Sequence, residues 1–180
     1  SDGIYLILNR PWLRLRAPIG AALFDAEPFG VAGPPALDLA FGKFPAELAR
    51  QACEHFKQAM PNEAGGVIIW NEQRNTPRHP PATVGEAPPQ RLVYTPAIVD
   101  RGDHIVADLH SHGNAPPFWS TTDDEDDRHY TRLSIVFGKF QFARPRFVAR
   151  LAAGGRFFPI FQNPFEIDQD GATFQPPELR

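Results

Sequence analysis

The stretch that decides the fold is Asp103-His104-Ile105-Val106-Ala107-Asp108-Leu109-His110-Ser111-His112-Gly113, DHIVADLHSHG. It reads as a β-strand, in which neighbouring side chains point to opposite faces. Ile105, Ala107, Leu109 and Ser111 then form one row, and Val106, Asp108, His110 and His112 form the other. The two histidines leave the less apolar face together, about 6–7 Å apart along the chain at two strand rises. That spacing lets both imidazoles reach one ion. His104 shares their parity if the strand extends back past Gly102.

Downstream, residues 113–119 form a loop containing Gly and Pro, and SerThrThrAspAspGlu (residues 120–125) reads as a helix start. Thr122 is the expected cap, with Glu125 three residues on. Asp123 falls in the first turn, where the peptide dipoles favour its ionised, metal-binding form. Two histidines and one carboxylate suit catalytic Zn2+, because three protein ligands leave a fourth tetrahedral position open. The ion retains positive charge and lowers the pKa of water towards about 7, so a nearby base has to take the proton. Glu63 is a candidate at the start of an upstream strand; spacing by itself does not select it over Glu54 or Glu72.

Upstream, PAELARQACEHFKQAM (residues 45–60) places Leu48, Ala52, Phe56 and Ala59 or Met60 at helical spacing behind a proline suited to a helix start. Val67-Ile68-Ile69-Trp70 reads as a strand buried on both faces. Residues 74–90, RNTPRHPPATVGEAPPQ, have no apolar periodicity and read as a surface loop. Residues 4–8 and 12–15 read as short strands and residues 18–35 as loop, all within a section 1–44 expected to belong to the same domain as residues 45–180. Further strands are expected at 133–137, 146–151 and 156–160.

Composition sets the outer limits. A chain of 180 residues that is 42% hydrophobic suits one domain with a real core. A net charge of −3 from mixed charges offers no basic stripe, which argues against nucleic acid as the main partner. No apolar run approaches the roughly 20 residues that span a bilayer, and no segment resembles a signal peptide, so a soluble, cytoplasmic protein without membrane association is expected. The single cysteine, Cys53, excludes an intrachain disulfide and reads as a small buried helix residue. Twenty prolines, about twice average usage, favour ordered loops over a helical bundle.

His110-Ser111-His112, seven residues, Ser120, two residues and Asp123 resemble the H-x-H-x7-S-x2-D motif of the JAMM (JAB/MPN+) metallopeptidases. PNEAGGVII (residues 61–69) resembles that family's glutamate-bearing strand. Four fixed residues at this spacing arise by accident in roughly one chain in several thousand. The resemblance covers residues 45–160. It implies an α/β (α+β) fold with a mixed central sheet flanked by helices, in the three-layer arrangement of cytidine deaminases. It also implies one Zn2+ bound by His110, His112 and Asp123, Glu63 as general base and Ser120 steadying the oxyanion. Family members hydrolyse peptide or isopeptide bonds, often at the C-terminus of ubiquitin or a ubiquitin-like protein. The wording DLHSHG followed by FWSTTDDEDD is more similar to bacterial JAB proteins, especially the PRTRC system protein A type, than to eukaryotic deubiquitinases. A ubiquitin-like substrate and an activating-enzyme-like operon partner are therefore implied. The sequence departs from many relatives at Gly113, where a proline commonly follows the second histidine.

Ordinary readings stand beside these. Ser120 could cap the helix, and Asp124, Glu125, Asp126 and Asp127 read as a solvated acidic helix start. Asp108 reads as a surface ion pair, with orientation of a ligand histidine as the alternative. A zinc amidase acting on small peptides or cell-wall material, and a non-catalytic scaffold of the same fold, are the alternative functions.

Overall fold

The computed structural model describes residues 3–21, 33–80, 83–84, 94–95 and 100–167. In chain order the elements are β1 (Gly3–Asn9), β2 (Leu13–Ala21), β3 (Ala36–Leu39), α1 (Ala46–Ala59), β4 (Gly65–Asn71), β5 (Thr76–Arg78), β6 (Thr83–Val84), β7 (Tyr94–Thr95), β8 (Asp103–Ser111), α2 (Thr121–Asp127), β9 (Arg132–Gly138), β10 (Arg146–Ala153) and β11 (Arg156–Ile160). They fall into two compact units, Ser1–Gly42 and Lys43–Arg180.

The first unit is an antiparallel three-stranded sheet ordered β1-β2-β3. Its first turn closes through reciprocal backbone bonds between Arg10 and Leu13 at 2.7 and 3.2 Å. Leu13, Leu15 and Ala17 alternate into the buried face while Arg14 stays exposed, the period expected of a half-buried strand. Two expectations change here. The region read as loop, residues 18–35, begins as strand, because β2 runs to Ala21, and a further strand that the sequence reading did not place, β3, follows directly after it at Ala36–Leu39. Proline at position 18 had argued for a loop; it sits beside a register irregularity between Ile4 and Tyr5, where a proline is tolerated.

The second unit is built on a six-stranded sheet ordered β11-β10-β9-β8-β4-β5. Only β8 and β9 run parallel among its pairs, so the sheet is mixed. The crossover between these two strands contains α2. Register separates the faces. Leu109 pairs with Ile135 and Ser111 with Phe137 on one face, while Asp108 pairs with Ser134 and His110 with Val136 on the other. α1 covers the first face: its buried stripe is Leu48, Ala49, Ala52, Cys53 and Phe56, and the Phe56 ring stands 5.6 Å from that of Phe137. Phe137, Phe147, Phe165 and Phe44 continue this core with ring spacings of 5.6–6.2 Å. Each buried ring contributes about 1.5–3 kcal/mol, which makes this face the main anchor of the sheet. α2 lies on the second face through Asp127, whose carboxylate meets Arg132 and Arg150. Helix, mixed sheet and helix are the three layers expected.

β4 is buried at every position from Gly65 to Asn71, as a strand covered on both faces must be. Part of the stretch read as a surface loop is instead ordered strand: β5 pairs with β4 at Ile69, Trp70 and Asn71 as a sheet edge, and β6 pairs with β7 in a separate two-stranded sheet. The apolar periodicity was missing because β5 is only three residues long and carries a proline, as edge strands tolerate. Its remainder, at 81–82 and 85–90, lies outside the described residues.

Candidate metal centre

β8 positions the site, and its pairing with β4 contains one irregularity that decides which side chains face it. Ile68 pairs with Ala107 but Ile69 pairs with Ile105, so Val106 is an extra residue in β8. A one-residue slip exchanges the faces of everything beyond it. The alternation read from sequence therefore holds from Ala107 to Ser111 and reverses before it. Ile105 moves to the face of His110, and His104 moves away from it. The His104 ring instead lies 5.8 Å from that of its cross-strand neighbour Trp70, with Nε2 3.3 Å from Glu72.

His110, His112 and Asp123 converge. Each offers one ligand atom, and these atoms all lie within 4.8 Å of one another. His110 Nε2 stands 3.5 Å from Asp123 Oδ1, close to the roughly 3.3 Å that separates two tetrahedral zinc ligands held at about 2 Å. The rings of His110 and His112 are 5.2 Å apart. His112 Nδ1 faces the Pro116 carbonyl at 3.4 Å, which leaves Nε2 as the free lone pair. The Phe118 ring meets the same imidazole edge-on at 4.5 Å.

Asp123 is held by the start of α2. Ser120, and not Thr122, is the cap: its Oγ accepts from Asp123 N at 3.2 Å, and its own N–H and hydroxyl each donate to Asp123 Oδ2 at 2.6 Å. This reciprocal arrangement is a capping box closed by an aspartate. It occupies Oδ2 and leaves Oδ1 for His110. The cap lies two residues earlier than expected because Ser120 has the extended backbone of a cap position, φ −80° and ψ 170°.

Burial decides the protonation of His110. With 8% of the residue exposed, loss of water pushes its pKa down to about 4, against the opposing pull of the Asp123 charge. The imidazole is neutral at ordinary pH, so its approach to Asp123 is not an ion pair. Its Nε2 is buried and has no hydrogen-bond partner, an arrangement normally costly enough to be avoided. A divalent cation held by His110, His112 and Asp123 would satisfy that nitrogen, and the donor set of two imidazoles and one carboxylate suits zinc. The residues present thus fit a metal ion.

Around His110, His112 and Asp123 lies a set of charges that sequence reasoning read otherwise. Asp108 is not a surface residue: it is 8% exposed, its Oδ2 is 4.0 Å from His110 Nδ1, and its Oδ1 is 3.4 Å from Arg132 Nη1. Burial pushes its carboxyl up to about 7, with Arg132 pulling the other way. Asp127 is not solvated either; it is 2% exposed and accepts from both Arg132 and Arg150. Arg150 also reaches Asp124, and its guanidinium lies 4.8 Å from the Trp119 ring and 3.9 Å from that of Phe157. These arginines were missed, although an arginine inside the apolar run FVARLAA is a signal of a buried charge pair.

Glu63 lies outside the ligand cluster, just before β4. Ser111 N donates to Ala64 O at 2.9 Å and Gly65 pairs with His110, so Glu63 lies two residues ahead of the end of the β4/β8 ladder that carries His110. The other candidates are elsewhere. Glu72 is at the far end of β4 with His104, and Glu54 is exposed on α1, across the sheet from the cluster.

The family model for Prok-JAB, prokaryotic homologs of the JAB domain, matches residues 45–150, a span from the start of α1 to Arg150 that includes every residue of the cluster. No curated protein matches the chain. Among the described residues, no helix is long and apolar enough to cross a membrane. With its family model matched over more than half its length, its mixed sheet between two helices and its His-His-Asp cluster, the chain belongs to the prokaryotic JAB-domain family.

Proposed function

We propose that the protein is a zinc-dependent hydrolase that cuts a peptide or isopeptide bond at the C-terminus of a ubiquitin-like protein. The observation that carries the metal-dependent part is His110 Nε2, buried without a partner and 3.5 Å from Asp123 Oδ1. When bound, zinc supplies a Lewis acid that acidifies water and polarises a carbonyl. Glu63, just ahead of β4, takes the proton from the attacking water and returns it to the leaving nitrogen, a role supported by the JAMM resemblance of residues 61–69. Ser120 holds Asp123 in the resting site, and rotation of its hydroxyl lets it donate to the carbonyl oxygen as negative charge develops. The bond type and the ubiquitin-like substrate are supported by the JAMM resemblance and by membership of the JAB family. An activating-enzyme-like protein is the matching partner, since its chemistry acts on the same C-terminus.

The test uses purified full-length protein. About one zinc per chain is expected from the ligand count. Glu63→Gln is expected to keep the metal and lose cleavage of ubiquitin-like fusions, and an active Glu63→Gln protein would defeat the mechanism. Short peptides in the same panel separate a small-peptide amidase, and cleavage of neither class by a zinc-loaded protein points to a scaffold.

A further inference from the structure

Helix α2 has little reason to form by itself. It is seven residues long, TTDDEDD, and its second turn places Asp126 and Asp127 where the helix dipole disfavours negative charge. Yet it carries Asp123, whose position against His110 defines the site. What fixes it comes from the sheet. Arg132, on β9, donates to Asp127 Oδ1 through Nε at 3.2 Å and Nη2 at 3.0 Å. Its third nitrogen, Nη1, faces Asp108 Oδ1 at 3.4 Å. Asp108 in turn lies beside His110 Nδ1 at 4.0 Å. One guanidinium therefore touches carboxylates from both elements that supply ligands, β8 and α2. Its side chain is only 15% exposed and packs 4.4 Å over the Tyr130 ring, so its fork has a fixed orientation.

We infer that Arg132 is a positioning residue that sets the His110 to Asp123 separation by bracing Asp108 on β8 against Asp127 on α2. The inference rests on the metal-binding part of the proposed function. A lysine keeps the charge but has a single nitrogen on a flexible stem, and lacks the rigid fork that sets separate nitrogens against the two carboxylates. Loss of such an outer contact typically lowers metal affinity 10- to 100-fold.

The experiment titrates metal-free full-length protein with zinc against a chromogenic chelator and records the visible spectrum of the cobalt-substituted form. Arg132→Lys is expected to bind zinc about tenfold more weakly and to show altered cobalt band intensities. Asp108→Asn, which keeps the shape of its side chain, is expected to weaken binding as well. The double variant should lose less than the product of the two single losses, because both break one brace. Circular dichroism of each metal-free variant separates a folding defect, and a variant that melts earlier yet binds zinc with native affinity and spectrum makes Arg132 merely structural and overturns the inference. Additive losses also overturn it. Wild-type protein that binds neither zinc nor cobalt overturns this inference together with the proposed function, whereas native binding by Arg132→Lys overturns this inference only.

Discussion

Gly138 on β9 lies against the backbone of Ala115: a Cβ placed on it would stand 2.3 Å from the Ala115 carbonyl oxygen and 2.9 Å from Pro117 N. These are backbone atoms, which cannot rotate away. The loop pressed onto Gly138 is the one whose Pro116 carbonyl orients His112. Gly138→Ala is therefore expected to push the loop outward, to destabilise the fold by about 1–3 kcal/mol and to weaken zinc binding through His112. Chemical denaturation and chelator competition measure the two effects. An alanine variant with native stability and affinity would show that the contact constrains nothing.

Ser120 is both the cap of α2 and the clamp on Asp123. Ser120→Ala removes both contacts of the hydroxyl and is expected to cost about 1 kcal/mol of stability. Because Oδ2 keeps only the backbone N–H of residue 120, zinc affinity should also fall. Ser120→Thr retains the hydroxyl and should restore both, as read by thermal melting and metal titration. Failure of threonine to restore either one would assign the effect to packing.

His79 lies against Gly66, on the face of the sheet opposite His110. Its Nδ1 donates to the Val67 carbonyl at 2.8 Å and its ring fills the space where Gly66 has no side chain. Burial pushes its pKa below the ordinary value of about 6.5, the hydrogen bond to Val67 opposing. The sign follows: below pH 6.5 the unfolded chain binds a proton that the folded chain refuses, so stability falls as pH falls from about 6.5. His79→Asn keeps a donor near Nδ1 and cannot titrate. The gap in unfolding free energy between wild type and variant should shift against the wild type from pH 7 to pH 5. A pH-independent gap would show that His79 does not titrate on unfolding.

Cys53 sits in the buried stripe of α1, and burial pushes its thiol up to about 12. Thiolate is the reactive form. The folded protein should resist a disulfide reagent such as dithionitrobenzoate at pH 8 and react with it fully in urea. Rapid labelling of the folded chain would place the thiol in contact with water.

The strands were legible where their covering was simple. VIIW in β4 and the apolar runs of β9 and β10 announce themselves because both faces are buried, and α1 because one stripe of Leu48, Ala52 and Phe56 repeats at helical spacing. The convergence of His110, His112 and Asp123 was legible too, since parity and a helix start are local properties. What failed was non-local. The extra residue at Val106 has no sequence mark and reverses His104 and Ile105. Asp108 and Asp127 look like ordinary surface acids until the register brings Arg132 and Arg150 onto them. Thr122 and Ser120 were equally plausible caps by composition, and backbone geometry chose between them.

The parallel pairing of β8 with β9 has a consequence for the order in which the protein assembles. His110, His112, Asp123 and Arg132 all belong to one continuous crossover, so folding brings them together by closing short loops. Glu63 arrives differently: the bond from Ala64 N to Ser111 Oγ that holds its neighbour beside β8 spans 47 residues. Long closures cost more chain entropy and form late. A chain caught halfway would hold the His110, His112 and Asp123 cluster complete while Glu63 still lacked its place beside β8, so the two parts of the proposed active site form one after the other.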